Sequence, residues 1–260
     1  VPANRPAEFL PISSRLYGHA SGALWIPETS TAVIADLHLG YSWAQRRRGE
    51  LGPLADSRTR EKVLAVRDQL QPRRFVFLGD VVHAPRPCAA ERAWIEDILK
   101  QLATGAELIA VRGNHDRRFA SEFAHLPFQD VLTWSEGSVT AAHGDRMDFA
   151  WPENHTLILG HLHPALAIRD SSGAAHKMPV FLGNRHCLVL PAFSPFAGGY
   201  DIVSGLPSEI VRCFRLEEVE VFAATGKQVA RLGPLRTALD TMAASDVHSA
   251  AQFRKRYRKG

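Results

Sequence analysis

Five short polar motifs follow apolar, strand-like runs along this chain: Asp36-Leu37-His38, Gly79-Asp80, Gly113-Asn114-His115-Asp116, His143-Gly144-Asp145 and Gly160-His161-Leu162-His163. No other feature restricts the fold as much. In α/β folds, ligands collect beyond the carboxyl ends of strands, so five strand ends deliver imidazoles, carboxylates and an amide to one edge. Each motif alone is commonplace; the ordered set is not.

The runs themselves give the fold class. Residues 32–35, 75–78 and 107–111 read as buried strands, and residues 57–70 and 89–102 between them read as helices. In the first helix Val63, Leu64, Val66 and Leu70 fall mostly on one face, Asp56 or Ser57 is placed to cap it, and Pro72 closes it. This βαβαβ order implies parallel strands with right-handed crossovers. In the second half, short runs at 139–142, 156–159, 166–168, 179–182 and 187–190 are separated by Gly, Pro, Asn and Asp, which predicts antiparallel or mixed strands. Residues 209–214 and 219–222 are expected to add a final hairpin. The whole reads as an α/β sandwich of two sheets flanked by helices. Periodicity weakens after residue 225, which predicts a domain over 1–225 and a basic, helical or disordered appendage over 226–260.

Composition restricts the setting. The 260 residues are 45% hydrophobic and 22% charged, an ordinary globular balance. No apolar run approaches the ~18–20 residues that span a bilayer, and the first residues show no basic region followed by an apolar stretch, so neither a membrane partner nor a signal peptide is expected. Three widely spaced cysteines, Cys88, Cys187 and Cys213, suit reduced thiols and a cytoplasmic location better than a disulfide framework. The net charge of +4 is mild, but Arg46-Arg47-Arg48 and residues 253–260 form basic runs able to hold a polyanion.

The donor set indicates metals. Two close cations repel each other, so a bridging anion such as an Asp must lie between them. The remaining positions call for neutral or anionic donors, and mixed imidazole and oxygen ligands suit Mn, Fe or Zn. Asp36 and His38, and likewise His161 and His163, are two residues apart and would share a face on a regular strand.

With all five motifs in order over residues 36–163, the chain resembles the calcineurin-like metallophosphoesterases. The resemblance implies a four-layer α/β/β/α sandwich of two mixed sheets. It also implies two divalent metals, most readily Mn2+: one held by Asp36, His38, Asp80 and His163, the other by Asp80, Asn114, His143 and His161. Within that superfamily, residues 36–41, 79–87 and 190–199 are similar to the SbcD-related phosphoesterases and the ligase-associated DNA-damage-response endonucleases, and His83 matches a substrate-positioning histidine. These 260 residues leave no room for the large DNA-binding extensions of full-length SbcD-type nucleases, so a substrate shared with them is not expected on this ground.

The expected reaction is in-line attack on phosphorus by a water acidified between the two metals. His115 is the candidate general acid, Asp116 a candidate to orient it, and His83 a contact for the substrate phosphate. Arg117, Arg46 and Arg47 are candidate substrate-binding residues. Three readings follow: a DNA nuclease, a phosphatase or phosphodiesterase for a small nucleotide or phosphometabolite, and a non-catalytic scaffold. The last is disfavoured because His115 and every expected ligand are present. Expected partners are a phosphate-ester substrate with DNA as one candidate, a second copy of the chain as an option and, by family resemblance, DNA-repair proteins.

Overall fold

The computed structural model describes residues 8–50, 55–118, 123, 126–134, 138–169 and 175–245. Two sheets face each other. The first has seven strands in chain order: β1 (Phe9–Pro11), β2 (Tyr17–His19), β3 (Leu24–Ile26), β4 (Thr31–Ala35), β5 (Arg74–Leu78), β6 (Glu107–Val111) and β7 (Phe128–Gln129). The strands β1 to β4 pair antiparallel and β4 to β7 pair parallel. The second sheet has nine strands: β8 (Val131–Trp134), β9 (Val139–Ala142), β10 (Thr156–Leu159), β11 (Pro164–Arg169), β12 (Ala175–Gly183), β13 (Cys187–Val189), β14 (Tyr200–Asp201), β15 (Glu220–Ala224) and β16 (Val229–Pro234). It is mixed, with β10 parallel to both β9 and β13.

The helices are α1 (Tyr41–Arg47), α2 (Ala55–Leu70), α3 (Ala89–Ala103), α4 (Ser208–Val211) and α5 (Leu235–Ser245). No described helix is long and apolar enough to cross a membrane. Three apolar cores separate four layers. One joins Val63, Val66 and Leu70 of α2 and Ile95, Ile98 and Leu102 of α3 to the outer face of the first sheet. A second lies between the sheets, where Val33, Val76 and Val111 meet Ile158, Phe181 and Leu188. A third packs Leu235, Ala238 and Leu239 of α5 on the second sheet. The central strands are continuous apolar runs because they are covered on both faces. α2 buries Val63, Val66 and Leu70 at the spacing of one helical face.

Two expectations change. Residues 209–214 do not form a strand: Ile210 and Phe214, four apart and both buried, lie on α4 and the turn after it. The closing hairpin is β15 with β16, so a division after residue 225 cuts between two paired strands. In β16 only Val229 is buried, which leaves too little periodic signal to be read from sequence. α5 then packs back on the domain, and residues 246–260 lie outside the described residues.

Candidate metal centre

The strands β4, β5, β9 and β10 end at Ala35, Leu78, Ala142 and Leu159, and each runs directly into its motif; β6 ends at Val111, two residues before Gly113. Past the strand ends, the first two motif loops continue the parallel ladder. The His38 amide donates to the Asp80 carbonyl at 2.8 Å, the Leu39 amide to Val81 at 2.9 Å, and the His83 amide to Leu39 at 2.8 Å. Side chains join the other loops. Asp36 Oδ2 accepts from the His161 amide at 3.0 Å, and Asp80 Oδ1 from the His115 amide at 2.9 Å.

Asp36, His38, Asp80, His161 and His163 all have positive φ, between 47° and 64°. The donors two apart therefore do not sit on regular strand, as their spacing suggests; they lie in left-handed loops beyond it. This conformation costs ~1 kcal/mol or more per non-glycine residue, and strain of that kind concentrates where a site must aim its side chains. Glycine makes the close approach possible. At Gly113 a Cβ would overlap the Asp80 carboxylate, and at Gly79 (φ 77°) it would overlap the His143 ring.

Three donor groups result among the described residues, each with ligand atoms within 4.8 Å of one another. His38 with His83 and His115 is one; the other two are Asp36, His38 and His163, and Asp80, His143 and His161. Asp80 faces both: its Oδ2 is 3.9 Å from His38 Nε2 and its Oδ1 is 3.5 Å from His143 Nε2. Asn114 Oδ1 lies 3.3 Å from His143 Nε2. The structure thus brings the seven candidate ligands into one cluster, Asn114 through its contact with His143.

These residues fit a pair of cations. Asp36 Oδ1 and His163 Nε2 are buried and 3.0 Å apart, yet neither makes a well-directed hydrogen bond among the described residues, as expected of two donors aimed at a common ion. Protonation shows the same demand for positive charge. Burial opposes ionisation of Asp36, but His163, His143 and His38 overcome it and hold the carboxyl below its usual range. Burial also opposes the charge on His143, but the Asp80 hydrogen bond and Asp36 push its pKa up to about 9. His38, more completely desolvated, falls to about 3 despite Asp36 and Asp80.

His115 and His83 stand at the edge of this cluster, ring centroids 5.3 Å apart, each near His38. The orienting partner of His115 is not Asp116. Its Nδ1 meets the His83 carbonyl at 2.6 Å, while the buried Asp116 carboxylate accepts from the amides of Val81, Val82 and Gly113 at 3.0, 3.4 and 3.0 Å. Asp116 therefore ties the second motif loop to the third. Its own loop opens a 3-10 turn (Asp116–Arg118) that carries its side chain inward.

The candidate arginines are placed unequally. Arg47 pairs with the buried Glu91 at 2.6 Å. Arg46 is exposed at the end of α1, outside the cleft that its neighbours line. Arg117 pairs with Asp145. Two clefts flank the donor cluster. One, of about 540 Å³, opens on His83 and His115 and is lined by Tyr41, Arg47, Arg48 and Arg86. The other, of about 670 Å³, opens on His143 and is lined by Arg112, Arg117 and Arg146 with Asp130, Asp145 and Asp148.

The sequence did not single out Lys62 or Arg86. Lys62 Nζ donates to the Phe193 carbonyl at 2.7 Å, and the Phe193 and Ser194 amides donate to the carbonyls of Ala35 and Asp36 at 2.8 and 3.2 Å, so Lys62 braces the first motif from below. Its only sequence signal is a lysine on the buried side of α2, next to Val63. Arg86 is separated from the Arg46–Arg48 run by 38 positions, and only the fold joins them.

A double-sheet sandwich with this rim of donors defines the metal-dependent phosphoester hydrolases. The family model for calcineurin-like phosphoesterases matches residues 29–190, and the chain belongs to that family. The crystal structure of the Pseudomonas putida nuclease MPE is similar over 86% of this chain and 100% of that one, with a TM-score of 0.62 and 22% identity, a likeness in fold. No curated protein matches the chain in sequence.

Proposed function

We propose that this hydrolase is a dinuclear phosphodiesterase acting on DNA strands, with Mn2+ as the preferred metal. The observation that carries the reading is a pair of clefts that open on different residues of the site, one on His143 and the other on His83 and His115. A phosphomonoester has one substituent to accommodate, whereas a diester within a strand has two, leading away in different directions. The structural neighbour is a nuclease, which supports the same reading.

Asp36, His38, Asp80 and His163 would hold one cation, and Asp80, Asn114, His143 and His161 the other. When bound, they neutralise the phosphoryl oxygens and supply an acidified water as nucleophile. Asp80 lies between the two sets and would lower the repulsion between cations held there. The His83 carbonyl fixes Nδ1 of His115 as a donor and leaves Nε2 facing the site. When that nitrogen is protonated, His115 gives its proton to the departing oxygen. His83, held beside His115, contacts the phosphate.

Hydrolysis of bis-p-nitrophenyl phosphate, p-nitrophenyl phosphate and single-stranded DNA, each with added Mn2+, tests this. The diester and the DNA should be cleaved, and Asp80→Asn should abolish both activities together with metal binding. His115→Ala should lower DNA cleavage by ~10²–10⁴-fold but affect the nitrophenyl diester less, because nitrophenolate leaves without a proton. Cleavage of the monoester alone would replace the proposal with a small-molecule phosphatase.

A further inference from the structure

The two clefts differ in charge. Beside His143, three arginines face three aspartates, and two of the arginines are already paired: Arg112 with Asp130 and Arg117 with Asp145. Beside His83 and His115 there are Arg47, Arg48 and Arg86 and no acid among the lining residues. Arg47 is held by Glu91, whereas Arg48 and Arg86 are exposed and pair with no carboxylate among the described residues. They come from different loops, at the end of α1 and after the second motif. Both therefore line this cleft only because the fold brings the loops together, and two cationic side chains without a carboxylate partner in one cleft favour an anion there.

The position of the cleft gives it direction. It opens on the histidine assigned to protonate the departing oxygen, so the leaving group lies in it. Tyr41 forms a flat wall of the same cleft, its ring centroid 4.9 Å from that of His83, a surface on which a sugar or base can pack. Resting on the phosphodiesterase reading above, we propose that Arg48 and Arg86 form a subsite for a second phosphate carried by the leaving group. The preferred substrate is then an oligonucleotide strand gripped asymmetrically, by the phosphate next to the scissile one on the leaving side. The charge-balanced cleft beside His143 gives no equal hold.

Three dinucleotides test the proposal with the Mn2+-loaded protein: dithymidine monophosphate, and the same molecule with one extra phosphate at its 5′ or at its 3′ end. The products show which nucleoside leaves. The dinucleotide with the extra phosphate on that nucleoside should exceed the unextended one in kcat/KM by roughly tenfold, the worth of one charge-assisted contact; the other extension should give no gain. In the Arg48→Ala/Arg86→Ala double variant the ratio of extended to unextended rates should fall to near one. A second readout needs no turnover: the salt dependence of oligothymidylate binding to the metal-free protein should lose about 0.7 in slope per arginine removed. Equal gains at both ends, no gain, a ratio that survives the double variant, or an unchanged salt slope would each overturn the subsite. If bis-p-nitrophenyl phosphate is cleaved, such a failure leaves the phosphodiesterase reading intact; if no diester is cleaved, that reading fails first.

Discussion

Replacing Gly79 with alanine tests whether the motif glycines exist to let ligands approach. Two costs are separable. The first is backbone: Gly79 has φ 77°, in the left-handed region where an L-residue loses ~1–2 kcal/mol. The second is contact: the added Cβ would lie 2.8 Å from Cε1 of His143 and closer still to Cγ and Nδ1. Carbon atoms pack at ~3.5 Å or more, so the ring must retreat by at least about 0.7 Å. Metal–ligand distances tolerate only ~0.2 Å, and His143 is also held by the Leu78 carbonyl at 3.1 Å on its other nitrogen. Gly79→Ala should therefore weaken Mn2+ binding at the Asp80, His143 and His161 site by ~100-fold or more. Gly105→Ala is the control: φ is 87° but nothing lies within 4 Å of the added Cβ, so it should show the backbone cost alone, a melting point lower by a few degrees, with two metals still bound. Calorimetric Mn2+ titration of chelator-treated protein, with thermal melts in parallel, measures both. Two sites of unchanged affinity in Gly79→Ala, or an equal loss in Gly105→Ala, would refute the reasoning.

Three further outcomes follow from the same contacts. Burial pushes the Lys62 pKa down to about 7, and unfolding restores it to ~10.4; between those values the unfolded chain binds the extra proton, so stability rises with pH over that window. Lys62→Met should flatten the slope of the urea midpoint between pH 7 and 9, and an unaltered slope would count against this role. Asp116→Asn turns one hydrogen-bond acceptor toward the loop amides into a donor and should cost ~1–3 kcal/mol of stability, visible in melts of metal-free protein, whereas a residue that merely oriented His115 would lower kcat and leave the melt unchanged. With its pKa near 9, His143 carries a proton in the metal-free protein at neutral pH, so Mn2+ binding should release protons and tighten as pH rises toward 9; calorimetry in buffers of differing ionisation enthalpy would show no proton release if the assignment is wrong.

Much of this architecture can be read from the chain alone, for a physical reason in each case. Strands β4, β5 and β6 are continuous apolar runs, because a strand buried on both faces needs no polar residue. The alternation with α2 and α3 then requires parallel pairing, and donors at strand ends gather at one rim. The five motifs are legible for that reason, whereas the choice of seven ligands within them rests on the family resemblance. The strands β1 to β3, of three residues each, carry no such signal. They form because the edge of β4 offers unpaired backbone groups and the two sheets bury the residues that cover it.

Other features depend on distances between segments far apart in sequence. The left-handed φ of Asp36, His38, Asp80, His161 and His163 contradicts the regular-strand geometry that their spacing suggests, and only packing of one loop on another sustains it. Asp116 lies beside His115 in sequence, yet its carboxylate is used by three amides, two of them more than thirty positions away. Arg47 belongs to a basic run in sequence and to the ion pair with Glu91 in space. Local sequence sets which residues are polar and how often they recur; which of them remain uncompensated, and therefore available to a ligand, is decided by the partners that the tertiary fold brings within a few ångströms.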